Sequence, residues 1–214
     1  MGQRIVQETN YEKKWKLFSK FLTQPVRLFE IGCAYGFFVD FVRRQGAEKY
    51  FGTDISADAI AYAKKNFGHH FDTFTTEVRP PFSYNFMAAW DVWEHMESPY
   101  DFFSDVARSL PTGGILAMTT IDSSSFVARF RGLRWRQVHP PTHMHYPTKK
   151  ALASALKRMN FEIIHHGHYG YYRSLESYLD ALKISFLMKL LPRLRHFPIV
   201  LDLKDEQFLI ARKL

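Results

Sequence analysis

The chain has 214 residues, 46% of them hydrophobic, which suffices for one full α/β domain with a sizeable core and falls short of two large ones. Its formal charge of +8 divides unevenly, −2 over residues 1–122 and +10 over residues 123–214, so the second half is a candidate surface for an anionic acceptor, a lipid headgroup or nucleic acid. A single cysteine excludes an internal disulfide, no apolar run reaches the roughly 18 residues of a membrane helix, and Met1–Ile5 opens no signal-like stretch, so a cytoplasmic protein is expected, peripheral at most to a membrane.

In chain order, Tyr11, Trp15, Phe18 and Leu22 predict an amphipathic helix over 8–23, ended by Pro25. Val26 to Ile31 reads as a strand, followed by a helix from Gly36 to Gly46 and a second strand closing on Asp54. Ser56 caps a helix through Phe67, which Gly68 ends. Phe71 to Thr76 predicts a third strand, and Asn85 to Asp91 a fourth that is apolar on both faces and therefore buried. Ser98-Pro99 starts a helix to Leu110, and the turn Pro111 to Gly114 leads into a fifth strand, Ile115 to Ile121. Residues 123–147 form a long connection rich in Ser, Arg, Trp, His and Pro, a length that inside a compact domain points to function. Thr148 caps a helix to Met159 with Asn160 as a left-handed stop, Phe161 to His168 is strand six, 174–191 is a helix, and Gln207 to Lys213 is the last strand. His166 and His168 share one face of strand six.

Alternating strands and helices at this spacing predict a doubly wound, mostly parallel sheet of the Rossmann-like α/β class, with ligands bound beyond the carboxyl ends of the strands. That gathers Glu30, Asp54, Trp90-Asp91 and Thr120 to Asp122 around one crevice. Within it, Glu30-Ile31-Gly32-Cys33-Ala34-Tyr35-Gly36 reads as strand, tight turn and helix start, where a cofactor can approach bare backbone. Asp54, at the tip of the second strand, can accept both hydroxyls of a ribose. The Gly-x-Ala-x-Gly turn lacks the spacing of the dinucleotide fingerprint, so a nicotinamide dehydrogenase fits worse.

Four motifs in this order, Glu30 to Gly36, Gly52-Thr53-Asp54-Ile55-Ser56, Asp91-Val92-Trp93-Glu94-His95 and Leu110 to Gly114, resemble those of class I S-adenosylmethionine-dependent methyltransferases. The resemblance covers about residues 26–122. It implies a single methyltransferase domain over 1–214, with an N-terminal helical extension (1–25), a cofactor core (26–122) and substrate or lid insertions (123–147 and 170–205). It implies a seven-stranded sheet whose last strand is antiparallel, and S-adenosyl-L-methionine as cofactor. It places that cofactor along Glu30, Gly32, Cys33, Ala34, Gly36, Asp54, Ile55, Thr76, Trp90, Asp91 and His95. Ala34 departs from the family turn, which usually has glycine there. Trp135 and the run His139 to Tyr146 are similar to a broad bacterial branch acting on small molecules.

Transfer to a hydroxyl benefits from a base near its proton. His143 and His145, then His139, are the candidates, His143 and His145 sharing a face if their stretch is extended. No metal is expected, because no cysteine or carboxylate lies near these histidines in sequence. The aminopyrimidine or adenine turn Asn/Asp-Pro-Pro-aromatic is missing after strand four, and the one cysteine, Cys33, sits in the cofactor turn, so base-amino and pyrimidine-carbon chemistry are disfavoured. The expected function is methyl transfer to a small acceptor, at oxygen, anionic or lipid-linked. A non-catalytic cofactor-binding protein and an RNA methyltransferase are the alternatives, nucleic acid being favoured by charge alone. The apolar and basic stretch 174–196 is either a lid or dimer helix or a peripheral membrane contact; the oligomeric state is open.

Overall fold

The most apolar segments of the chain form the middle of a sheet, as burial on both faces requires. In the computed structural model, which describes residues 2–73, 82–181, 194–200 and 202–214, five strands run parallel: β1 (Arg27–Ile31), β2 (Lys49–Asp54), β3 (Phe71–Thr73), β4 (Phe86–Trp90) and β5 (Ile115–Ile121). β6 (Phe161–His168) follows, then a short pair, β7 (Tyr172–Ser174) and β8 (Pro198–Val200), and finally β9 (Glu206–Lys213). The main sheet has seven strands in the order β3-β2-β1-β4-β5-β9-β6, with β9 antiparallel to both neighbours. The helices are α1 (Gly2–Phe18), α2 (Phe37–Arg44), α3 (Ala57–Phe67), α4 (Pro99–Ser109), α5 (Phe126–Arg131), α6 (Lys149–Arg158) and α7 (Leu175–Ala181).

The caps read from the sequence are made. Ser56, Ser98 and Thr148 each accept the amide of the residue three positions on, satisfying a first-turn donor that the helix itself leaves open. Asn160 takes the left-handed conformation at φ 62°. One face of the sheet packs Phe29, Met87, Leu116 and Leu209 against Phe103 and Val106 of α4 and Leu152 and Leu156 of α6. This fixes the carboxyl ends of β1, β2, β4 and β5 along one edge, where the loops bearing chemistry emerge.

The chain forms two compact units, Phe21–Tyr169 with Lys204–Leu214, and Met1–Lys20 with Gly170–Leu203. The expected N-terminal extension and most of the second insertion thus come together in one unit. Inside it the Asn10 amide bonds the Tyr172 backbone in both directions, at 2.8 Å each, as a neighbouring strand would, and Lys13 Nζ donates to the Gly170 carbonyl at 2.6 Å. The first helix begins earlier than its aromatic spacing suggests, because Val6 extends the buried stripe one turn upstream. It ends at Phe18 in a 3₁₀ turn rather than running to residue 23.

Other boundaries differ for local reasons. β3 is described from Phe71 to Thr73, and residues 74–81, with Thr76 among them, lie outside the described residues. The connection 123–147 holds α5, capped by Ser125 at 3.1 Å, and a 3₁₀ turn, Gly132–Arg134; a helix this short leaves no periodicity to read. α7 covers the start of the expected 174–191 helix, the rest lying outside the described residues. The pair β7–β8 was not foreseen, since three-residue strands carry no alternation signal. β6 contains a bulge between Ile163 and His165 that shifts its register against β9.

Candidate active site

β1 ends in Glu30 and Ile31, and the chain then reverses over β2. Gly32 and Cys33 donate their amides to the Thr53 carbonyl at 2.8 and 2.9 Å, and Gly36 donates to the Cys33 carbonyl at 2.8 Å. The turn requires left-handed backbone at Gly32, Ala34 and Gly36 (φ 71°, 45° and 77°). A Cβ on Gly32 would lie 2.3 Å from Val92 Cγ2, and one on Gly36 2.6 Å from the Phe71 ring, so glycine is demanded by space as well as by φ. Gly36 caps α2 without a side chain.

Asp54 organises this turn. Its Oδ2 accepts the Ala34 amide at 2.8 Å and its Oδ1 the Ser56 amide at 2.9 Å, leaving a second lone pair on each oxygen. That bond also explains how Ala34, the residue that departs from glycine, is held at positive φ. Glu30 is buried at 2% exposure at the end of β1, and Ile55 stands out from the tip of β2 at 84% exposure. The Cys33 thiol is pushed up by burial and by the Glu30 and Asp54 carboxylates, so it stays a neutral packing group. Buried Glu30, bare turn backbone and Asp54 make a donor and acceptor set that fits the ammonium and ribose of a sulfonium nucleoside.

The second half of the site follows β4. Trp90 packs edge-on to Phe38 at 5.1 Å and stacks on Phe208 at 6.0 Å. Asp91 then adopts φ 55°, and the 3₁₀ turn Trp93–His95 begins. The Glu94 carbonyl accepts the amides of Met144 (2.9 Å) and His145 (3.2 Å), stapling the long connection onto this turn. His143 stacks with His139, ring centroids 3.7 Å apart, and meets His95 edge-on at 4.6 Å. Each of the three is oriented through Nδ1: His143 to the Gln137 carbonyl at 2.9 Å, His95 to the Thr142 carbonyl at 2.6 Å, His139 to the Thr142 hydroxyl at 2.5 Å.

Burial, with His139 and His95 beside it, lowers the His143 pKa to about 4, so its ring is neutral at neutral pH and a weak base. His145 lies elsewhere: its ring is 5.8 Å from Trp93, and its Nε2 and Trp93 Nε1 are buried with no hydrogen-bond partner among the described residues. The two candidate bases thus contact different rings of the turn after β4, His143 meeting His95 and His145 meeting Trp93.

Below the crevice lies a buried acidic floor. Glu94 accepts the Thr120 hydroxyl at 2.8 Å, and its pKa is raised by burial and by Asp91. Glu206, on β9, is hydrogen-bonded by Gln137 and raised by burial, Asp91 and Glu94. Asp205 receives Trp135 Nε1 at 2.9 Å and both ends of the Arg136 guanidinium at 3.2 and 3.1 Å, which anchors the long connection to β9.

The structure thus brings together Glu30, Gly32, Cys33, Ala34, Gly36 and Asp54 as one turn and strand pair, and groups His95 with His139 and His143 rather than with that turn. Glu94, Trp93, Glu206, Asp205 and Arg136 were missed by sequence reasoning. Trp93 and Glu94 sit in the quoted motif and were legible there, Glu94 as its second acid; Asp205 and Glu206 meet the long connection, Arg136 included, across about seventy residues of chain.

A family profile described as a methyltransferase domain matches residues 3–166. None of the curated proteins matches the chain. Solved structures similar to this one include an S-adenosylmethionine-dependent methyltransferase from Mesorhizobium loti (18% identity, 94% of this chain and 97% of that one, TM-score 0.63). They include the YcgJ protein of Bacillus subtilis (13%, 95% and 98%, TM-score 0.66). They also include the magnesium protoporphyrin IX methyltransferase of Synechocystis PCC 6803 with bound S-adenosylhomocysteine (14%, 100% and 86%, TM-score 0.64). At these identities the likeness is one of fold; with the family match over most of the chain, it makes this protein a member of the methyltransferase-domain family, an enzyme of the class I fold that uses S-adenosylmethionine.

Proposed function

We propose that the enzyme methylates an oxygen of a small, anionic or lipid-linked acceptor, with His145 taking the hydroxyl proton. The observation that carries this is the buried His145 Nε2, which has no hydrogen-bond partner among the described residues and lies beside the equally unpartnered Trp93 Nε1. A buried polar atom of this kind costs roughly 1–3 kcal/mol until it is satisfied, and an acceptor hydroxyl is a fitting partner. When bound, S-adenosylmethionine supplies an electrophilic methyl on a sulfonium sulfur. The chain's own work is to position and to exclude water. Asp54 and the turn amides hold the nucleoside end, Glu30 faces the amino end, and His145 Nε2 accepts the acceptor's proton.

Two further features support an anionic or lipid-linked acceptor. Phe126, Phe130 and Leu133 are 80%, 81% and 89% exposed, and Arg129, Arg131 and Arg134 are interleaved with them. Exposed apolar side chains ringed by arginines suit the interface of an anionic bilayer. We place the membrane contact here, on α5 and the turn after it. RNA as acceptor rests on charge alone.

The test is labelled methyl transfer into whole-cell metabolite and lipid extracts. His145→Ala should lower turnover by about 10²–10⁴ while S-adenosylhomocysteine affinity stays within twofold. Wild-type turnover in His145→Ala would remove the base assignment.

A further inference from the structure

We infer that Glu94, His95 and His143 form a binding site for a first-row divalent cation, with zinc the best match. The three residues come from the turn after β4 and from the long connection, and one ligand atom of each lies within 4.8 Å of the other two. Two imidazole nitrogens and one carboxylate oxygen are a donor set typical of zinc and its neighbours, and leave coordination positions open.

The hydrogen bonds around the trio strengthen the case. A metal-binding histidine usually gives its other ring N–H to a carbonyl or carboxylate, which fixes tautomer and orientation. Both histidines do so: His95 Nδ1 faces the Thr142 carbonyl at 2.6 Å and His143 Nδ1 the Gln137 carbonyl at 2.9 Å. A carbonyl cannot donate, so Nδ1 carries the proton in each ring and Nε2 carries the lone pair. The carboxylate is held too, since Glu94 Oε2 receives the Thr120 hydroxyl at 2.8 Å. The backbone is stapled at the same point by the Met144 and His145 amides on the Glu94 carbonyl. Asp91 lies near enough to act electrostatically on both Glu94 and His143, adding negative charge that a cation offsets. Bonds of about 2.0–2.1 Å to a tetrahedral ion separate ligand atoms by roughly 3.4 Å, so binding draws the trio together by no more than about 1.4 Å from within their present 4.8 Å.

This inference goes beyond methyl transfer, and its test needs no acceptor. Where the proposed acceptor lies beside the trio, a bound cation would lower the pKa of its hydroxyl as a Lewis acid. Sequence spacing hid it, since Glu94 and His143 are 49 positions apart and meet only through tertiary contacts such as the staple at the Glu94 carbonyl.

The test is calorimetric titration of the metal-free protein with ZnCl₂, together with the visible spectrum of the Co²⁺ form, in the absence of any methyl donor. Wild type should take up one high-affinity Zn²⁺ per chain and show the Co²⁺ bands of a low-coordinate site. Affinity should fall at least about tenfold in each of Glu94→Gln, His95→Ala and His143→Gln. The His95 side chain is exposed and Glu94→Gln retains the acceptor for Thr120, so both variants should fold, checked by circular dichroism. Zn²⁺ binding unchanged in His95→Ala and Glu94→Gln would assign it to other surface histidines and overturn the site, as would no binding of Zn²⁺ or Co²⁺ to folded wild type. S-adenosylhomocysteine affinity, measured on the same samples, reports the cofactor pocket separately.

Discussion

Asp54→Ala removes two things at once. The carboxylate bonds the Ala34 and Ser56 amides at 2.8 and 2.9 Å, and in the proposed site its remaining lone pairs accept the ribose hydroxyls. A hydrogen bond to a charged group contributes about 1.5–3 kcal/mol, so losing both ribose bonds weakens cofactor binding by about 3–6 kcal/mol, or roughly 10²–10⁴-fold. Ala34, at φ 45°, also loses its anchor, which destabilises the free protein modestly. Asp54→Asn keeps one of the two backbone acceptors and turns the other into a donor facing an N–H, so it loses charge and half of the turn's anchoring; at least about tenfold weaker binding is expected. Calorimetry with S-adenosylhomocysteine, which binds without turning over, reads both variants. Affinity within threefold of wild type for Asp54→Ala would refute the assignment of the ribose to this strand tip.

Gly32→Ala should lower the melting temperature by roughly 5–15 °C, since a left-handed alanine and a 2.3 Å contact with Val92 together cost about 2–4 kcal/mol; Val92→Ala in the same chain should recover the steric part, and an unchanged melting temperature in the single variant would contradict the packing. Burial and the Asp91 and Glu94 carboxylates, against the opposing Arg136, push the Glu206 pKa up to about 9, so a protonated Glu206 is expected at neutral pH in the folded state. The folded state therefore binds more protons than the unfolded one above the ordinary carboxyl range, and stability falls as pH rises through that window. Glu206→Gln removes this loss while keeping an acceptor for Gln137, so it should stabilise by about 2 kcal/mol at pH 7, with a gain that grows from pH 5 to pH 9; a gain independent of pH would show that Glu206 is ionised. Phe126→Ser with Phe130→Ser should abolish sedimentation with phosphatidylglycerol vesicles at unchanged stability, and equal binding by wild type to phosphatidylcholine vesicles would remove the electrostatic part of the membrane proposal.

The turn proposed to hold the cofactor was legible because its determinants are local. Gly32 and Gly36 are required by φ and by close approach within a single turn, and Asp54 follows them at the tip of the adjacent strand. The capped helices and the buried strands β4 and β5 were equally plain, since cap residues and unbroken apolar runs declare themselves within a few positions. The acceptor half was not legible. His143 pairs with His95 rather than His145 because the Glu94 carbonyl captures two amides fifty residues away. Trp135 and Arg136 meet Asp205 across some seventy residues, and no spacing rule within 123–147 announces that bond. The bulge in β6 likewise depends on its pairing with β9, though it lies upstream of His166 and His168, whose pairing with β9 runs in unbroken register.

The most direct measurement is transfer of an isotopically labelled methyl group from S-adenosylmethionine into fractionated metabolite and lipid extracts, with the product resolved by mass spectrometry and NMR. The expected result is one acceptor class labelled at oxygen, enriched among anionic or lipid-linked molecules, and lost in both Asp54→Ala and His145→Ala. Label found on nitrogen, or intact cofactor binding with no labelled product from any extract, would contradict it.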